Sequence, residues 1–132
     1  MSEKWIKRLM FGTDVGFLLY WLANVVRIIP PYPEPVLNAW NWSFLGLDVI
    51  AATTGLMSLR WTRRRRAGAT ALRAVSLALT HAAGLLAISF WALRGEFDPA
   101  WWLPNLWLTL FPLAALVLSL REGSSATPAA ST

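Results

Sequence analysis

Few side chains in this 132-residue chain carry chemistry, and those that do lie within apolar sequence. Two acids, Asp14 and Asp48, and the only histidine, His81, interrupt stretches otherwise built from Leu, Ala, Val, Phe and Trp. Asn24, Asn41 and Asn105 add carboxamides, and Trp91 adds an indole N–H. An acid paired with an imidazole could shuttle a proton, because each partner shifts the other's proton affinity. An acid beside amides and tryptophans could instead hold the polar head of an otherwise apolar ligand. With one histidine and no cysteine, the chain lacks the donor set of a protein-only zinc, haem or iron–sulfur site. No metal and no cofactor are expected.

The elements that must position these groups are four apolar stretches, over residues 9–29, 39–59, 71–93 and 101–120. Each is about 20 residues, so as a helix each rises about 30 Å, the depth of a bilayer's hydrocarbon core. Hydrophobic residues make up 56% of the chain and charged ones 14%, a balance that excludes an ordinary soluble domain. The chain is therefore expected to be all-α: an integral-membrane four-helix bundle, up-down and antiparallel, within residues 1–122. Pro30, Pro31, Pro33 and Pro35 should stop the first helix and stiffen the first outer loop. Asp98 before Pro99 reads as the N-cap of the last helix. The Ala/Ser/Thr-rich segment 123–132 is expected to be a disordered tail.

Charge gives the orientation. Ten of the twelve Lys and Arg residues lie before the first stretch, around the loop between the second and third, or at Arg121. The positive-inside rule then puts both termini in the cytoplasm, with the chain multi-pass in the membrane. Arg63, Arg64, Arg65 and Arg66 serve topology and anionic headgroups, and the net charge of +5 does not point to nucleic acid. Membrane lipids are the expected partners, with a homodimer or a larger membrane complex left open.

Within the spans, ionisable groups are costly and mark candidate sites. Asp14 sits about 8 Å inside the cytoplasmic end of its helix, and Asp48 about 10–13 Å below the outer end. Asn41, Asp48 and Gly55 repeat every seven residues and share a face. On the first helix, Thr13, Tyr20, Asn24 and Arg27 group into a polar stripe, with Asp14 about 100° away from it. Turned inward, these faces make a polar pocket in the outer half, for which the ligand-binding candidates are Asp48, Asn41, Asn105, His81, Asn24, Trp91 and Asp14. Asp48 and His81 are the candidate catalytic pair. Gly46, Gly55 and Gly84 are expected to let helices approach closely or to leave ligand space.

Several strings resemble one family. Thr13-Asp14-Val15-Gly16-Phe17 with Tyr20-Trp21, then Ala39-Trp40-Asn41-Trp42-Ser43-Phe44 with Leu47-Asp48, look like the YvaD-like small bacterial membrane proteins. So do Ala87-Ile88-Ser89-Phe90-Trp91, Phe97-Asp98 and Trp101-Trp102 with Asn105-Leu106, and the likeness spans about residues 10–112. The resemblance implies an architecture and no activity, since that family's function is unknown. In outline, Pro35, Trp40, Asp48, His81 and Pro112 are also similar to the EXPERA superfamily of sterol isomerases and the sigma-2 receptor. That likeness would imply proton transfer or amine binding by Asp48 and His81, with Trp91 and Trp107 as walls.

Four functions fit the residues: an intramembrane binder of a lipid-like or amphiphilic ligand, an accessory subunit, an EXPERA-like isomerase, and a proton-coupled transporter. The binder, which needs no catalytic constellation, is the reading adopted, and an enzyme is the less favoured class.

Overall fold

The computed structural model describes residues 2–126 and is helical throughout, with no strand among the described residues. Helix α1 runs over Glu3–Val25, α2 over Pro35–Ser43, α3 over Leu45–Arg63, α4 over Ala69–Arg94 and α5 over Pro99–Ala126. The second expected span is thus broken at Phe44 into a short α2 and a long α3. Phe44 keeps helical dihedrals, and its N–H reaches back to Asn41 as well as to the next carbonyl, a local tightening of the turn. Helix α5 continues past the expected end at residue 120, and the tail expected over 123–132 falls, from residue 127 onward, outside the described residues.

The helix ends explain the loop positions. Helix α1 stops well before Pro30, so the prolines do not terminate it. Arg27 takes a left-handed φ of 61°, and Ile28 N–H reaches the carbonyl of Ala23 while Arg27 N–H reaches Asn24. This is the paired C-terminal bonding that glycine usually provides. Replacing Arg27 with Gly should therefore raise stability by about 0.5–1 kcal/mol, because a side chain in this region is strained. Chemical unfolding of wild type and Arg27→Gly in matched detergent measures this, and a loss of stability would contradict the strained cap. At the start of α5 the expected cap is present: Ala100 N–H donates to Asp98 Oδ1 at 2.9 Å, and Pro99 opens the helix.

The helices pack in the order α1, α3, α4, α5, each on the next. Helix α1 runs antiparallel to α3: Trp21 meets Asp48, Phe17 packs on Ala51 and Ala52, and Asp14 lies against Gly55. Helix α4 meets α5 through His81 with Thr109 and Gly84 with Asn105 and Thr109. No comparable contact joins α1 to α5 along their length. They meet at one end, where Ile6 and Met10 of α1 pack with Leu77, Phe111 and Ala115.

Polar side chains turn inward among the apolar core residues, and large apolar ones turn outward. Asp14, Asn24, Asn41, Asp48, Ser58, Ser76 and Thr80 are buried, while Leu19, Leu22, Ile50, Leu86 and Leu110 are exposed. Three helical segments, Pro35–Arg63, Ala69–Arg94 and Pro99–Gly123, are long and apolar enough to cross a membrane. The sequence reading expected four. Helix α1 is absent from that set although it is 23 residues long, because its polar residues lower its mean hydropathy. Those residues are Glu3, Lys4, Lys7 and Arg8 at its start together with Asp14 and Asn24, and the last two face inward and are buried.

Candidate functional site: a cleft between the first and last helices

Because α1 and α5 join only at one end, a cleft of about 760 Å³ remains between them. Its α1 wall carries Gly12, Gly16, Phe17, Tyr20 and Trp21. The opposite wall is Ala100, Trp101, Pro104, Asn105 and Leu108 of α5, and α2–α4 supply Trp40, Asn41, Asp48 and Trp91 at the back. Space for the cleft comes partly from glycine: a β-carbon on Gly12 or Gly16 would meet nothing within 4 Å. Near the closed end, Trp107 Nε1 donates to Thr13 Oγ1 at 3.0 Å and ties the two walls together.

Asp48 is the acid of this cleft. Its Oδ2 accepts from Trp21 Nε1 at 3.0 Å, whereas its Oδ1 is buried without a partner. Among the described residues, no Lys, Arg or His forms an ion pair with it. The Asn41 and Asn24 carboxamides are committed to each other. Tyr20 Oη donates to Asn41 Oδ1 at 2.6 Å, Asn41 Nδ2 donates to Asn24 Oδ1 at 3.1 Å, and Asn24 Nδ2 donates to the Tyr20 carbonyl. This small network fastens α2 to the end of α1, the interhelical role that such groups commonly play. Asn24 itself is not among the residues lining the cleft.

Asn105 lines the cleft, and its Nδ2 donates to the Trp101 carbonyl one turn back. Trp91 is buried with its Nε1 unpartnered, at the centre of an aromatic cluster with Tyr32, Trp40, Phe90 and Trp101. Tyr32 belongs to the loop between α1 and α2, and burial pushes its phenol above the usual value.

His81 does not meet Asp48. Its Nδ1 lies 2.7 Å from the Thr109 carbonyl, which can only accept, so the ring proton sits on Nδ1. The residue does not line the cleft. Asp14 is elsewhere too, 2% exposed in the seam between α1 and α3, with its Oδ2 unpartnered. It fills the hollow left by Gly55, close to Ser76 Oγ. Of the three glycines expected to permit close approach or to leave ligand space, Gly55 and Gly84 lie at close approaches, and Gly46 faces open space outside the cleft lining. The arginines of the run at residues 63–66 are exposed, and Arg66 lies over the Trp61 ring at 5.4 Å.

Sequence reasoning passed over Trp21, the partner of Asp48, and over Trp40, Trp101 and Gly16 as lining residues. A signal existed for Trp21. Met10, Asp14, Phe17, Trp21 and Asn24 recur at helical spacing and form the buried face of α1. Grouping the polar residues alone produced a different stripe, with Asp14 outside it.

No solved structure matches this chain. A protein of Bacillus subtilis (strain 168), described as the uncharacterized protein YvaD, is 40% identical over 126 residues, covering 91% of this chain and 95% of that protein. Residues 6–126 match the family described as DUF5360, a family of unknown function. On that match, and on the bacterial relative, the chain belongs to the DUF5360 family.

Proposed function

We propose that this chain is a multi-pass protein of the bacterial cytoplasmic membrane, with both termini in the cytoplasm, that binds a lipid-like or amphiphilic ligand in the cleft between α1 and α5. The observation that carries the reading is the cleft itself: about 760 Å³, mostly apolar, with the half-partnered carboxyl of Asp48 in its wall. A few polar groups set in an apolar cavity are what a small-molecule site needs for orientation and affinity. Helix α1 joins the three more apolar segments as a fourth span, because its buried polar residues are turned away from lipid.

The other functions have less support. An isomerase working through Asp48 and His81 needs both groups at one substrate, and they are bonded to different helices. A transporter needs access from both sides, and Ile6, Met10, Leu77, Phe111 and Ala115 pack α1 on α4 and α5 at one end of the bundle, where such a path would have to open. An accessory subunit held by an exposed polar helix face is disfavoured by the apolar exterior of the long helices.

The test uses wild type and Gly16→Leu in lipid nanodiscs. A β-carbon at Gly16 meets nothing within 4 Å and the residue lines the cleft, so the leucine is expected to extend into it and the basal melting temperature to stay at or above that of wild type. Titrating long-chain alcohols, sterols and amphiphiles should stabilise wild type by about 2–3 kcal/mol at a hundredfold excess over Kd. Gly16→Leu should lose that shift. Equal shifts in both proteins would place the binding elsewhere and end this reading.

A further inference from the structure

The two charged residues that line the cleft stand at its opposite ends. They are Arg8 and Asp48, and Arg8 precedes Trp21, the partner of Asp48, by thirteen residues on α1. At the helical rise that separation is about 20 Å. The Asp48 end also carries the indoles of Trp40 and Trp101, neutral groups that donate one hydrogen each. An anion placed there would face the one acid of the lining. The Arg8 end offers a guanidinium instead, with a fixed charge and several donors.

That guanidinium is uncommitted. Glu3, the acid nearest to it in sequence, pairs with Arg73 of α4, and Asp14 is buried in the α1–α3 seam. Among the described residues Arg8 has no carboxylate partner, and it lies over the exposed Trp5 ring at 5.5 Å. Lys4 stands one turn earlier on the same face. A tryptophan beside two cations marks the headgroup level, on the side that the charge bias makes cytoplasmic. From Arg8 the α1 wall runs through Gly12 and Gly16 to Tyr20, about 18 Å along the helix. One leaflet's share of the hydrocarbon core is about 15 Å. The trough thus matches one chain of the cytoplasmic leaflet. Gly12 is turned about 100° from Thr13, so such a chain passes the Thr13–Trp107 contact on its exposed side.

We propose that the cleft takes an acyl-chain amphiphile of the cytoplasmic leaflet by an anionic head. The phosphate or carboxylate sits on Arg8 with Lys4 beside it, and one chain lies along Gly12 and Gly16 toward Trp101. This rests on the binding reading and the bilayer placement above and deepens them. Both heads present oxygens that a guanidinium can hold in pairs. No bond is made or broken, and the site selects by the charge at one end and the apolar trough behind it.

Equilibrium binding of labelled dodecyl phosphate, dodecanoate, dodecanol and dodecylamine to the protein in zwitterionic nanodiscs tests this, with empty nanodiscs subtracted. The buffer is mildly alkaline, so that the carboxylate is ionised, and one chain length isolates the head. At least one of the two anions should bind wild type about fivefold more tightly than dodecanol, and the better of them names the head. Arg8→Gln should bring that anion to the level of dodecanol. Arg64→Gln removes the same charge from the exposed run beyond α3 and should keep the preference. Equal loss in both variants would make the preference an effect of diffuse surface charge and overturn the assignment. Equal binding of all four probes, or preference for dodecylamine, would overturn it too, and abolition of that binding by Gly16→Leu would leave the cleft reading intact. Saturable binding of none of the probes, or binding indifferent to Gly16→Leu, would remove both.

Discussion

Replacing Gly84 with Ala should cost the protein about 2–3 kcal/mol, although alanine is the better helix former. A β-carbon at Gly84 would stand 2.7 Å from the backbone nitrogen of Thr109 and 2.8 Å from the backbone oxygen of Asn105. Backbone cannot rotate out of the way, so α4 and α5 must separate, and the His81–Thr109 contact at 2.7 Å should loosen with them. Gly46, where a β-carbon meets nothing, supplies the control: Gly46→Ala should be neutral or stabilising. Unfolding of both variants in one detergent gives the comparison. Removing the Thr109 hydroxyl with Thr109→Ala should not rescue Gly84→Ala, because backbone atoms remain in the way. A full rescue would mean that the close approach is misplaced.

Gly55→Ala should be similarly costly, about 1–3 kcal/mol, for a different reason and with a different remedy. There the new β-carbon would overlap Asp14 Oδ2 and fall 2.6 Å from Ser76 Oγ, and the three nearest atoms all belong to side chains. Truncating Asp14 to Ala vacates that space. The double variant Gly55→Ala/Asp14→Ala should therefore be more stable than Gly55→Ala alone, with a coupling of about 1–2 kcal/mol in a double-mutant cycle. Simple additivity of the two changes would show that Asp14 does not occupy the Gly55 hollow. The two glycines thus separate a contact between helix backbones from a contact with one buried acid.

Much of the architecture is legible in the chain. Stretches of apolar residues long enough to cross a bilayer are a coarse signal, and the seven-residue repeat of Asn41, Asp48 and Gly55 does mark one buried face. Helix rotation is harder to read. Where both the core and the surroundings accept leucine, hydropathy does not tell an inward face from an outward one. The pairing of Asp48 with His81 failed on this point. Depth along the axis suggests that they could meet, but Asp48 is turned to α1 and His81 to α5. The break at Phe44 is equally hidden, since Asn41-Trp42-Ser43-Phe44-Leu45 contains neither Pro nor Gly to announce it. Trp21 could have been found from its spacing to Asp14, whereas the weak α1–α5 contact that creates the cleft depends on all four long helices at once.

The gap between α1 and α5 bears on how occupancy would be governed. With Met10 and Phe111 packed together beside the cleft, an amphiphile would enter and leave it through the gap between α1 and α5. In the bilayer placement proposed above, that route faces the lipid phase and not the aqueous phases. Occupancy would then follow the mole fraction of ligand dissolved in the membrane. Diluting the bilayer with more phospholipid at constant total ligand would empty the site, as surely as removing ligand from the medium.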